Sequence, residues 1–145
     1  PGDRYRFLIT GRQSGGSYFI LEGYVPPGGG PPLHAHLREE ECFFLLEVKL
    51  SILIGDRTVE AVAGDLVHFP RGVPHAFRND TDAVARMLAI FSPAGMEGWF
   101  EAALDVALDA ESTPPPATAA MIARMLEAGP RFGVQWAAPP PTGAA

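Results

Sequence analysis

The sequence predicts an all-β domain, a sandwich, jelly roll or barrel, followed by one or two helices near the C-terminus. Two observations carry this. Between Arg4 and Phe91, apolar runs of strand length recur, and most are closed by Gly, Pro, Asn or Asp. After Ser92 the apolar spacing changes to the i, i+3, i+4, i+7 pattern of a helix. Glycine and proline are abundant, at 16 and 15 residues, but follow no G-X-Y period, so they mark turns rather than a collagen repeat.

Taken in order, 4–10 and 17–25 read as strands joined by the Gly/Ser turn 11–16. Residues 26–32 form a stiff Pro/Gly loop, and the chain becomes extended again from Leu33. The apolar runs 42–46 and 49–54 follow. Gly55-Asp56 is a hairpin signal leading into 58–61. Gly64-Asp65 turns into 66–69, Pro70-Arg71-Gly72 into 75–78, and Asn79-Asp80 into 84–91, giving about eight short strands. Met96, Trp99, Phe100, Ala103, Leu104, Ala107 and Leu108 make one apolar stripe of a helix started by Ser92-Pro93. Residues 114–116 are a proline linker. Thr118 caps a second short helix over 119–128, which Gly129-Pro130 ends. The expected organisation is a barrel over 1–92, a helical extension over 93–138 packed on it, and a Pro-rich tail over 139–145, extended or disordered.

A chain of 145 residues supports one domain with a real core and is too short for two full ones. Net charge is −6 and no Lys/Arg run occurs, so a nucleic-acid partner is not expected. No apolar stretch approaches the roughly 18 residues a membrane helix needs. No signal peptide is visible, although a start at Pro1 leaves a trimmed leader open. Cys42 is the only cysteine, which excludes an intrachain disulfide, and a cytoplasmic setting is the default expectation.

The chemistry concentrates in a few positions. His34 and His36 are two apart, so on a strand both imidazoles point the same way. Glu39, Glu40 and Glu41 follow and can add an oxygen ligand, while His75 comes after a Pro-x-Gly turn on a strand that a barrel can bring alongside. Three imidazoles and a carboxylate suit borderline metals. Taken singly, each feature has a plainer reading: His-x-His pairs are more often surface or core, a glutamate run is usually a solvated face, and one histidine after a turn is unremarkable. The combination is what favours a metal site.

Gly28-x5-His34-x-His36-x4-Glu41 resembles the first motif of the cupin family, and Gly64-x5-Pro70-x-Gly72-x2-His75-x3-Asn79 resembles the second at every fixed position. Nine of the ten fixed positions match, which is far more specific than a lone short motif. The resemblance implies a double-stranded β-helix (jelly-roll) barrel holding one divalent transition metal ion, Fe, Mn, Ni, Co, Cu or Zn, on His34, His36, Glu41 and His75. Glu40 also fits the permitted spacing. Glu41 is favoured because it places 42–47 on the strand that follows, with Phe43 and Leu45 facing inward beside it and Glu40 turned to solvent. Val48 is the one departure, standing where the motif ends in Gly. Valine reaches positive φ only at a cost, so the expectation is a milder bend or a strand running straight on to Ile54.

Other candidates are weaker. His68 is expected to be a structural or surface residue, and Cys42 a small hydrophobe turned away from the metal. Tyr24, Phe43, Phe77, Met87 and Phe91 read as core, with a pocket wall as the alternative. The overall pattern resembles cupins related to quercetin 2,3-dioxygenases. That implies a dioxygenase acting on a small aromatic, flavonol-like or enediol substrate with dioxygen as co-substrate, Glu41 both flanking the metal and accepting the substrate's hydroxyl proton. A metal-dependent isomerase or cyclase using the same site as Lewis acid, and a non-catalytic small-molecule-binding protein, are the alternatives. The resemblance also implies a homodimer, to which residues 4–10 would lend a strand.

Overall fold

A computed structural model describes residues 2–107 and 117–137. Its strands are β1 (Arg4–Ile9), β2 (Phe19–Val25), β3 (His34–His36), β4 (Glu40–Glu47), β5 (Lys49–Ile54), β6 (Arg57–Val62), β7 (Leu66–Phe69), β8 (His75–Arg78), β9 (Ala85–Ser92) and β10 (Val134–Trp136). Two helices, α1 (Glu97–Ala103) and α2 (Ala119–Ala128), lie between β9 and β10. The strands form two five-stranded sheets, β1-β2-β9-β4-β7 and β10-β3-β8-β5-β6, with antiparallel pairing throughout. This is the jelly-roll arrangement. The linker at 114–116, Leu108 and the tail 139–145 lie outside the described residues.

Period-2 alternation builds the interior. On β9, Ala85, Met87, Ala89 and Phe91 are buried while the residues between them are half-exposed. On β4, Glu41, Phe43 and Leu45 face inward and Cys42, Phe44 and Leu46 do not. Phe19, Leu21, Leu50, Ile52 and Phe69 complete the apolar centre from both sheets. Outside, Glu22 is held between Arg6 and Arg86, and Arg86 also reaches Glu47. Asn79, wholly buried, ties the loop after β8 to β2: its Nδ2 donates to the carbonyls of Val25 (2.8 Å) and Ala83 (2.7 Å), and its Oδ1 accepts from Thr81.

Three features differ from expectation. First, the β4–β5 junction keeps the backbone shape of the missing glycine: Val48 sits at φ 65°, so the strand neither runs straight nor bends mildly. The site is over-determined by neighbours. The β4 pairing shifts register between Leu45 and Glu47, and the Val48 carbonyl accepts from Ala63 N. Second, α1 starts at Glu97 and ends at Ala103, shorter than the apolar stripe suggested, and Leu104 is extended. Ser92 remains on β9. At the other end, Arg124 donates to the Ala103 carbonyl at 3.0 Å and pairs with Asp105, while Ala107 is exposed. Third, β10 had no clear periodic signal, being three residues long, yet it adds a strand beside β3. The second helix matches its prediction, with Thr118 accepting from Met121 N at 3.2 Å. No helix among the described residues is long and apolar enough to cross a membrane.

Candidate metal centre

His34 and His36 project from β3 into the space between the sheets, two residues apart as the alternation requires. His75 opens β8 and pairs directly across from His34. Glu41 reaches in from β4 in the opposite sheet. All four side chains are buried, and one potential ligand atom from each lies within 4.8 Å of all the others.

The hydrogen bonds orient these rings. His34 Nδ1 lies 2.8 Å from the Pro32 carbonyl and His75 Nδ1 2.9 Å from the Val73 carbonyl. A carbonyl accepts only, so each Nδ1 carries the proton and, in the neutral ring, each Nε2 presents its lone pair to the centre. Glu41 Oε2 stands 3.0 Å from His75 Nε2 and 3.2 Å from His36 Nε2. Burial pushes the Glu41 carboxyl up, but the His36 and His75 imidazoles close against it outweigh this and hold the group at about 2. Burial, reinforced by the neighbouring imidazoles, pushes His34 down to about 3. Near neutral pH the cluster therefore offers an ionised carboxylate and a neutral imidazole without further proton loss. This donor set suits a divalent metal ion, because a cation placed among these atoms satisfies lone pairs that otherwise face one another. Among the described residues, the buried side-chain polar atoms without a partner are Nδ1 of His36, at the end of β3, and Oε2 of Glu39, on the turn to β4.

Aromatic rings wall the centre: Trp136 lies 5.6 Å from His34, Phe91 5.5 Å from His36 and Phe69 4.6 Å from His75, between ring centroids. His34, His36 and Glu41 open onto a cavity of about 1330 Å³ whose wall includes Phe43, Met87, Phe91, Met96, Phe100 and Trp136. Phe43, Phe77, Met87 and Phe91 are thus both core and cavity wall. Tyr24 is neither deeply buried nor at the cavity; its ring lies under the Arg4 guanidinium.

Glu40 is exposed and accompanies His68 at 2.8 Å on the outer surface, away from the cluster. Cys42 is half-buried on the outward side of β4, opposite His68, and burial pushes its thiol up. Trp136, Asp3 and Tyr5 also line the cavity, and no motif in the sequence marks them. A signal for Tyr5 existed in its alternation with Phe7; for Trp136 there was none beyond its being a tryptophan.

Residues 21–91 match the profile of the Cupin domain family. Quercetin 2,3-dioxygenase of Bacillus subtilis is 23% identical over 100 residues, covering 68% of this chain and 29% of that protein. An uncharacterized protein of Streptomyces coelicolor is 31% identical over 55 residues, covering 38% of this chain and 51% of its own length. The chain spans less than two thirds of the length of these curated relatives. Among solved structures, the polyketide cyclase RemF from Streptomyces resistomycificus aligns with TM-score 0.56 and 29% identity, covering 63% of this chain and 65% of that one. An RmlC-like cupin from Shewanella frigidimarina aligns with TM-score 0.58 and 19% identity, covering 67% and 81%. With the two motifs, the jelly roll and the buried three-histidine, one-glutamate cluster all in place, the chain belongs to the cupin superfamily.

Proposed function

We propose that this protein is a metal-dependent cupin enzyme, a dioxygenase of small aromatic, flavonol-like or enediol substrates, with His34, His36, Glu41 and His75 as its metal ligands. The observation that carries the reading is the convergence of imidazole nitrogens and an ionised carboxylate at the wall of a large apolar cavity. A bound divalent metal would supply Lewis acidity to a substrate hydroxyl and, where it is redox-active, a partner for dioxygen. The chain's own residues do the rest. The backbone carbonyls of Pro32 and Val73 hold the rings of His34 and His75 in one orientation. Glu41 is positioned to accept the proton of a substrate hydroxyl at its carboxylate. Phe91 and Trp136 keep bulk water from the reacting atoms and give a flat substrate a surface to lie against.

A cyclase or isomerase using the same ligands without dioxygen is the second reading, favoured by the 29% identity to a polyketide cyclase. One set of measurements separates them. Protein loaded in turn with Fe, Mn, Ni, Co, Cu or Zn is assayed for bound metal by elemental analysis, with His75→Ala as control, and then for oxygen uptake with quercetin. Stoichiometric metal lost in the variant, with oxygen uptake, is the expected result. Turnover under nitrogen supports the cyclase or isomerase. Tight quercetin binding without turnover under either gas indicates a non-catalytic binder. No stoichiometric metal with any of the six sinks the metal-centre reading.

A further inference from the structure

The cavity has polar groups at a second place besides the metal cluster. Tyr5 and Phe7 share one face of β1, and the Tyr5 ring packs edge-on against Phe100 of α1 at 4.9 Å. The Tyr5 hydroxyl donates to Asp3 Oδ2 at 3.2 Å. The other Asp3 oxygen accepts from Gly30 N at 3.2 Å, in the glycine-rich loop before β3. That loop admits no side chain here: Gly30 has φ 127°, and a Cβ on it would lie 2.0 Å from the Phe77 carbonyl oxygen. Oδ1 therefore has a structural task, anchoring the start of β1. Oδ2 and the phenol do not share that task, and both residues line the cavity.

The hydrogen bonding defines what this place can receive. The phenol's one proton is spent on Asp3, and no described residue donates to its oxygen. The pair therefore offers acceptors only, one of them carrying negative charge. A carboxylate or phosphate would be repelled; a neutral O–H would be welcomed. The route from the metal cluster to this pair runs along aromatic rings: His36 against Phe91 (5.5 Å), Phe91 against Phe100 (6.1 Å), Phe100 against Tyr5 (4.9 Å). Asp3 and Tyr5 line the same cavity as His34, His36 and Glu41, so the two places belong to one cavity.

We infer that Tyr5 and Asp3 form a second anchoring subsite, which selects a neutral aromatic ligand of two or three linked rings with a hydroxyl at the end remote from the metal cluster. This deepens the proposed function and rests on it for the identity of the metal-facing end. Neither a plain hydrocarbon nor an acid satisfies both ends, because the acceptor pair stays unpaired against the first and repels the second.

The test uses two probes that share the 3-hydroxy-4-keto edge and differ in remote hydroxyls: quercetin, which has them, and 3-hydroxyflavone, which does not. Binding to metal-free and to Zn-loaded full-length chain is followed by tryptophan fluorescence, since Trp136 and Trp99 line the cavity. In wild-type protein quercetin should bind more tightly than 3-hydroxyflavone. In Tyr5→Phe, the quercetin Kd should rise about tenfold, as expected for one lost hydrogen bond in an apolar site, while that of 3-hydroxyflavone should stay within about twofold. Unchanged 3-hydroxyflavone binding also shows that the variant is folded. Equal affinity of wild-type protein for both probes, binding of neither, or parallel losses in Tyr5→Phe overturns the subsite. These outcomes are read separately from metal content and oxygen uptake, so the subsite can fail while the metal enzyme stands, and the reverse.

Discussion

Replacing Val48 by glycine should cost much less stability than replacing Val59 by glycine, although both valines are half-buried and pack against the same core. Val59 lies within β6, paired with Ile52, and has no positive φ. Val59→Gly loses about 1 kcal/mol of partial side-chain burial, roughly half the value of a fully buried valine. It adds about 0.5–1 kcal/mol for the extra freedom of glycine in the unfolded chain. The total is about 2 kcal/mol. Val48→Gly incurs the same two losses, but it also removes the cost of holding a β-branched residue at φ 65°, about 1–2 kcal/mol. Its net cost is therefore about 0–1 kcal/mol. Urea denaturation of metal-free protein, monitored by far-UV circular dichroism, measures both without linkage to a bound ion. Thermal midpoints should follow, with Val59→Gly lower by roughly 4–8 °C and Val48→Gly within a few degrees of the parent. Equal losses in the two variants, with unchanged m-values, would show that Val48 carries no strain and refute the reasoning.

Asn79→Ala removes four side-chain hydrogen bonds at a fully buried position and leaves the Val25 and Ala83 carbonyls short of a donor, so it should destabilise by about 2–4 kcal/mol; a urea-derived loss below about 1 kcal/mol would contradict this. Metal-free protein should lose stability steadily on acidification. His34 is held at about 3 against 6.5 in the unfolded chain, which therefore binds more protons between those values, so stability falls as pH drops from 6.5 toward 3. Glu41 is held at about 2 against 4.5, so its contribution is complete above pH 4.5 and is lost as pH falls toward 2. The urea midpoint should decrease continuously from pH 7 to pH 4; a flat profile would disprove the burial of a neutral His34. Glu41→Gln should make the decline between pH 4.5 and 3 shallower, leaving the His34 part, when the same titration is carried on to pH 3.

Much of the centre is legible in the sequence. The spacing His34-x-His36 on an extended segment puts two rings on one face whatever the rest of the chain does, because strand alternation is a local property. The same property separates Glu41 from Glu40: with Phe43 and Leu45 facing the core, Glu41 must face it too, and Glu40 must not. The turns before β6, β7 and β8 were visible in Gly55-Asp56, Gly64-Asp65 and Pro70-Arg71-Gly72, since these residues set backbone angles by their own chemistry.

Other properties depend on partners distant in sequence. Val48 adopts a glycine's conformation because the β4 register shift and the Ala63–Val48 hydrogen bond leave the chain no other path, and no local preference of valine announces it. The end of α1 depends on Arg124, twenty-one residues further on, taking the Ala103 carbonyl. Three-residue β10 has too few positions to show a period, and only its pairing with β3 brings Trp136 against His34. Asp3 and Tyr5 carry no motif; their pairing acquires meaning from a cavity that neither residue can specify alone. Local alternation and turn chemistry wrote the ligands into the sequence, whereas the walls and the second polar place needed two sheets and a helix to close around them, because side-chain contacts between elements depend on register and packing rather than on any residue's own preference.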